Sequence, residues 1–170
     1  MSHLLGAFLI VAASLAMGLA YVNGEKRRLR ALRSAEQLLK AITGELETRL
    51  SPLPALFSRL PGRCDGAAAA FASAMNARLD RLGERQFRDL WAESVEIAFP
   101  MLSREERELL CTLGQSLGRY ELERQLAELS LTLDLLAEAI ARRSAALPEK
   151  KRLGLGLAWA GGALLVIVLL

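Results

Sequence analysis

The chain has 170 residues, a net charge of +3 and 52% hydrophobic residues, which suits one compact domain plus attached segments. Its single histidine, His3, lies at the edge of an apolar run, so Ser–His and Cys–His catalytic sets and two-histidine zinc motifs are excluded. All 22 Lys and Arg and all 19 Asp and Glu fall between Glu25 and Arg152, leaving a charged middle between two uncharged apolar ends.

The first end, residues 3–22, reads "HLLGAFLIVAASLAMGLAYV". At ~1.5 Å per residue it is about 30 Å long, enough for a hydrocarbon core. A cleaved signal peptide would carry basic residues before the run. Here Lys26, Arg27 and Arg28 follow it, so a retained transmembrane helix is expected. Ala12, Ala16 and Ala20 recur every fourth residue, a spacing that lets helix backbones approach closely in lipid.

From Glu25 to Leu50, Leu29, Leu32, Ala35, Leu39, Ile42, Leu46 and Leu50 keep steps of three and four, which predicts a helix nearly continuous with the first span. "SPLP" then supplies a cap at Ser51 and a first-turn proline at Pro52, followed by Leu53 and Pro54. A short helix to Leu60 is expected, ended by Pro61-Gly62. An alanine-rich helix from Ala67 to Leu82, with Phe71, Met75, Leu79 and Leu82 on its apolar face, is expected to stop at Gly83. The next, Glu84 to Phe99, closes at Pro100.

Ser103-Arg104-Glu105-Glu106 has the form of a capping box, with Leu109, Leu110, Leu113 and Leu117 as the buried stripe behind it. Within "LGQSLGRYELERQ", Gly118 is read as the residue that ends this helix and Gly114 as a site of close helix approach. Glu121 favours the start of the last helix, and Gln125 is a candidate polar tie one turn in. The stretch lacks the Gly-Lys-Ser/Thr ending of a phosphate loop. In the last helix Leu122, Leu126, Leu129, Leu133, Leu136 and Ile140 form a heptad seam, read as the core stripe of a bundle in preference to a dimeric coiled coil.

The second apolar end, residues 153–170, follows Lys150, Lys151 and Arg152 directly. Both basic clusters belong on the cytoplasmic face. The expected protein is therefore two-pass, with spans at 3–22 and 153–170, both termini outside the cytoplasm, and a cytoplasmic domain at 25–150. Its fold class is all-α, an up-and-down bundle of about six helices. Cys64 and Cys111 are expected to be reduced. No metal, cofactor or catalytic residue is expected. The carboxylate pairs Glu93/Glu96 and Glu105/Glu108 have arginines nearby and read as solvated surface. Nucleic acid is not expected as a partner, because the basic excess lies beside the spans, where anionic lipid can use it. The acidic turn at Glu105 to Glu108 and the outer face of the last helix are candidate docking surfaces.

The segments "LLGAFLIVAAS", "SPLPALFSRL", "LGQSLGRYELERQ" and "GLAWAGGALLVIVLL" resemble the stage III sporulation protein AB family along the whole chain. One departure is Arg119-Tyr120-Glu121, where members often carry Ser-Asp or a similar capping pair. The resemblance implies a cytoplasmic helical bundle similar to those of the inner-membrane platform protein of type II secretion and type IV pilus systems. It also implies a non-enzymatic scaffold of the mother cell–forespore channel complex, in the outer forespore membrane. The implied partners are a cytoplasmic ATPase and ring-forming membrane proteins. The alternative is a membrane-anchored structural protein that self-associates by a coiled coil.

Overall fold

The computed structural model describes residues 2–49, 53–117 and 121–169; the side chains of residues 1–11, 15, 49, 150, 151 and most of those in 153–170 are not part of that description. Among the described residues the chain is all-helical, with no β-strand. The elements are α1 (Ser2–Arg49), α2 (Leu53–Arg59), a 3-10 turn at Leu60–Gly62, α3 (Gly66–Asn76), a 3-10 turn at Leu79–Arg81, α4 (Phe87–Ala98), α5 (Arg104–Ser116) and α6 (Leu122–Leu169).

Two compact units result. One is Arg30–Ile140; the other joins Met1–Leu29 to Ala141–Leu170. Within the second, Glu25 and Arg143 form an ion pair at 3.8 Å. Among the described residues no helix is long and apolar enough to cross a membrane. The two expected spans fall largely on side chains outside the described set.

The Arg30–Ile140 unit holds a single hydrophobic core. Leu32, Ala35, Leu39 and Ile42 of α1, Leu56 and Phe57 of α2, Phe71 and Met75 of α3, Leu90 and Trp91 of α4, Leu110 and Leu113 of α5, and Leu129 and Leu136 of α6 are all buried in it. The three-and-four spacing of α1 is thus a core stripe. Leu122, Leu126, Leu133 and Ile140, the rest of the α6 seam, pack against the same cluster half-buried. The seam therefore meets the chain's own core.

Several boundaries differ from the sequence expectation. The stretch from Ala67 to Leu82 is not one helix: α3 ends at Asn76, and the chain tightens into three-residue hydrogen bonds, Arg78 N to Met75 O at 2.9 Å and Leu82 N to Leu79 O at 2.9 Å. The tighter winding rotates successive side chains by more than an α-helix does. Leu79 stays buried while Leu82 is 44% exposed. Gly83 follows with φ +125°, a conformation that side chains disfavour, and Gln86 is extended before α4 starts at Phe87. Pro61 and Gly62 likewise form part of a 3-10 turn instead of ending a helix at Leu60.

The capping box at α5 is present in both directions: Glu106 N donates to Ser103 Oγ at 3.3 Å, and Ser103 N donates to Glu106 Oε2 at 2.8 Å. At the other end of the chain, Pro148 sits inside α6 without ending it. It removes one backbone donor, which neighbouring structure has to tolerate.

Candidate functional site: buried helix contact and charged outer faces

The helix contact is built around Trp91. Its indole packs edge-on to Phe71, with centroids 4.8 Å apart, and to Phe57 at 6.1 Å; Phe87 lies 5.9 Å away. Edge-on packing sets the positive ring edge against a negative ring face. Burying an indole also requires a partner for its N–H. Trp91 Nε1 donates to the carbonyl oxygen of Leu110 on α5, at 2.8 Å. One turn further along α5, Gly114 faces the same ring: a Cβ there would lie 2.5 Å from Trp91 Cγ and Cδ1. The missing side chain is what lets α5 close on α4.

The remaining site residues named from the sequence are scattered. Leu53 opens α2, half-buried against the core, and Pro54 is exposed on it. Glu121 is exposed, and its carbonyl accepts from Arg124 N and Gln125 N at 3.1 Å each, which opens α6. Gln125 is half-buried in that first turn. Pro52 and Gly118 lie outside the described residues. Lys26 and Arg27 are exposed, Arg28 is half-buried and Arg152 exposed; the side chains of Lys150 and Lys151 lie outside the description.

Ion pairs that join separate elements were not foreseeable from spacing. Glu93 on α4 sits between Arg85, at 2.6 Å, and Arg78, at 3.6 Å. The hydrogen bond from Arg85 and the positive charge of both arginines hold its carboxyl below the usual range. Arg107 on α5 reaches Glu96 on α4 at 3.1 Å. Glu45, buried on α1, pairs with Arg63. Burial pushes both cysteine thiols up, with Asp65 adding to the effect at Cys64 and Glu96 at Cys111. Thiols so disfavoured as thiolates are poor nucleophiles. Among the described residues no cluster of His, Cys, Asp or Glu could hold a metal ion.

What remains is surface. On α1, Lys26, Arg30, Arg33, Gln37 and Lys40 are exposed and fall on one line along the helix. On α6 the exposed line is Arg124, Ala127, Leu131, Asp134 and Glu138, with Leu135 beside it; Leu131 is 61% and Leu135 41% exposed. The first face is basic. The second carries two leucines, with two acids on one side of Leu131 and an arginine on the other. Ile97, near the end of α4, and Met101, in the α4–α5 connection, are also exposed.

Comparison with curated proteins gives no match. A solved structure titled "Stage III sporulation protein AB (SpoIIIAB)" is similar in fold, with a TM-score of 0.63 at 22% identity, over 72% of this chain and 97% of that one. The family model described as Stage III sporulation protein AB matches residues 3–170. With a match of that extent, the chain belongs to the stage III sporulation protein AB family, and its role lies in sporulation.

Proposed function

We propose that the chain is a non-enzymatic platform subunit of a membrane complex that connects mother cell and forespore. Two spans, 3–22 and 153–170, anchor it, and its helical bundle docks a cytoplasmic ATPase and ring-forming membrane proteins. The observation that carries this reading is the division of the chain. Residues 30–140 have their own closed core, and the two uncharged ends fall, with the charged residues that flank them, in a second unit. In that second unit Met17 is 76% exposed, and Leu19 and Tyr21 are 53% exposed each, an arrangement suited to lipid and costly in water. The basic residues from Lys26 to Arg33 follow the first apolar end, as a cytoplasmic flank requires.

The test is site-specific photocrosslinking in sporulating cells, with probes on the outer faces of α1, α5 and α6 of the full chain. Crosslinks to an ATPase from the bundle, and labelling of cysteines placed on the bundle only from the cytoplasmic side, are the expected results. Labelling from the opposite side would overturn the topology, and a bundle that crosslinks to no subunit of the complex would overturn the docking role. Self-association through the α6 seam is the weaker alternative, because Leu129 and Leu136 are already buried in the chain's own core.

A further inference from the structure

We infer that the leucine-bearing face of α6, acidic at Asp134 and Glu138, is a docking site for the basic face of α1 from a second copy of the chain. Both faces are exposed on the same unit, and their charges run in complementary order. Along α1 the line is Arg30, Arg33, Gln37, Lys40; along α6, read backwards, it is Glu138, Asp134, Leu131, Ala127. Laid antiparallel, the two lines place Arg30 by Glu138, Arg33 by Asp134, the Gln37 stem by Leu131, and the Lys40 stem over the small Ala127. Each step is three or four residues on both helices, so the register holds over about three turns.

Beyond Ala127 the sign inverts on both helices. Arg124 on α6 falls opposite Gly44, where no side chain stands in the way, and the exposed Glu47 lies one turn beyond that glycine. Arg124 is 3.7 Å from its own Glu128 and has a further interaction besides, so it turns toward Glu47 only at the cost of those contacts. At the other end Lys26 would meet Arg142, a like charge that bounds the interface.

Symmetric packing fares worse. Two α6 faces in parallel would set Asp134 and Glu138 each against itself, and two parallel α1 faces would do the same with Arg30 and Arg33. Two α6 faces packed antiparallel about Leu131 would match Arg124 to Glu138, each seven residues away, so charge alone does not reject them. That arrangement is the competitor of the α1–α6 pairing, and it sets Leu131 of one copy against Leu131 of the other, where a single cysteine tells the two apart. The α1–α6 contact joins two different faces of copies that, on the two-pass reading, share one membrane. A heterologous contact of this kind propagates into a ring or a row instead of stopping at a dimer.

Among the described residues Arg30, Arg33 and Asp134 form no ion pair, whereas Lys40 already pairs with Glu36 at 2.6 Å. The centre of the interface is therefore Arg33 with Asp134, flanked by Leu131 and Leu135, which lose water on docking. Exposed ion pairs contribute little each. Confinement of copies to one membrane supplies the high effective concentration that such a contact needs.

The experiment is disulfide crosslinking of the full chain, run both in detergent micelles and in membranes. The variant Gln37→Cys with Leu131→Cys is expected to give a ladder of dimers, trimers and larger species. Neither single variant should crosslink beyond the wild-type background of Cys64 and Cys111. Arg33→Glu or Asp134→Arg in that chain should weaken the ladder about fivefold, the scale of one exposed ion pair lost and reversed. The two reversals together should restore it. Circular dichroism on each variant checks that the helices are intact. A ladder in micelles without one in membranes would uphold the pairing and fault the two-pass reading, so the two failures are distinguishable. No ladder in either, a failure of the double reversal to restore it, or crosslinks from Leu131→Cys only to a different protein would each overturn the pairing. A dimer from Leu131→Cys alone would overturn it in favour of the antiparallel α6 pair.

Discussion

The α2–α5 part of the bundle and the α1–α6 part contribute to one core in different ways. Around α4 the contact depends on shape: five aromatic rings (Phe57, Phe71, Phe87, Trp91 and Phe99), an indole N–H satisfied by a single carbonyl, and a glycine that leaves room for the ring. On α1 and α6 it depends on pattern: leucines at steps of three and four, each exchangeable with a neighbour of similar volume. A shape-dependent contact fails at one atom, whereas a patterned one degrades gradually. The first is where substitutions should cost stability, and the outer faces of the second are where they should cost association.

The largest expected break is Trp91→Ala, which removes the most central ring and leaves Leu110 O without its side-chain donor. A loss of about 3–5 kcal/mol is expected, read by thermal unfolding of the solubilised chain. Gly114→Ala comes next. Its new methyl would overlap Trp91, and overpacking of this kind costs about 1–3 kcal/mol. The two are coupled, which gives the comparison its sharpest form. With Trp91 already reduced to Ala, Gly114→Ala should be neutral or stabilising by up to about 1 kcal/mol, since Ala is the better helix former. If Gly114→Ala is equally harmful in both backgrounds, the ring is not what the glycine accommodates. A still smaller effect, about 1 kcal/mol, is expected for Ser103→Ala, which removes one side of the α5 capping box. Circular dichroism should place that loss in the unfolding midpoint without changing the helix content at low temperature.

The same contrast explains what can be read from the sequence. Pattern is local, so the stripes of α1, α5 and α6, the capping box at Ser103 and the all-helical class are written in residue spacing. Gly114 stands out because glycine is costly inside a helix, and its role as a close approach needs no partner to be guessed. The partner itself cannot be found that way. Trp91 lies on another helix, and nothing in the periodicity of α4 says which turn of α5 it meets. Leu82 misleads for a related reason: its spacing is helical, but the chain changes its winding at Ala77, and Leu79 stays buried while Leu82 turns outward. Pro148 is the reverse case. Proline usually marks a helix end, yet one lost hydrogen bond does not outweigh a helix that continues on both sides of it. The outer face of α6 is legible as exposed, but its charge order acquires meaning only when α1 is read against it in the opposite direction.

The smallest expected effect lies at Glu93, on the outer side of the shape-dependent region. Its carboxyl is held below the ordinary range, first by the hydrogen bond from Arg85 and then by the positive charge of Arg85 and Arg78. A carboxyl with a depressed folded value stabilises the fold above its unfolded value, and that stabilisation is lost as pH falls through the folded value. Glu93→Gln should therefore lower the unfolding midpoint slightly at neutral pH, and the gap to the wild type should close in the acid range. High salt should narrow the gap as well, because these charges face solvent. An undiminished gap at low pH would show that the residue acts by packing and not by charge. Glu93 would then belong with Trp91 and Gly114, and the division between a shape-dependent interior and a charge-bearing exterior would have to be drawn one layer further out.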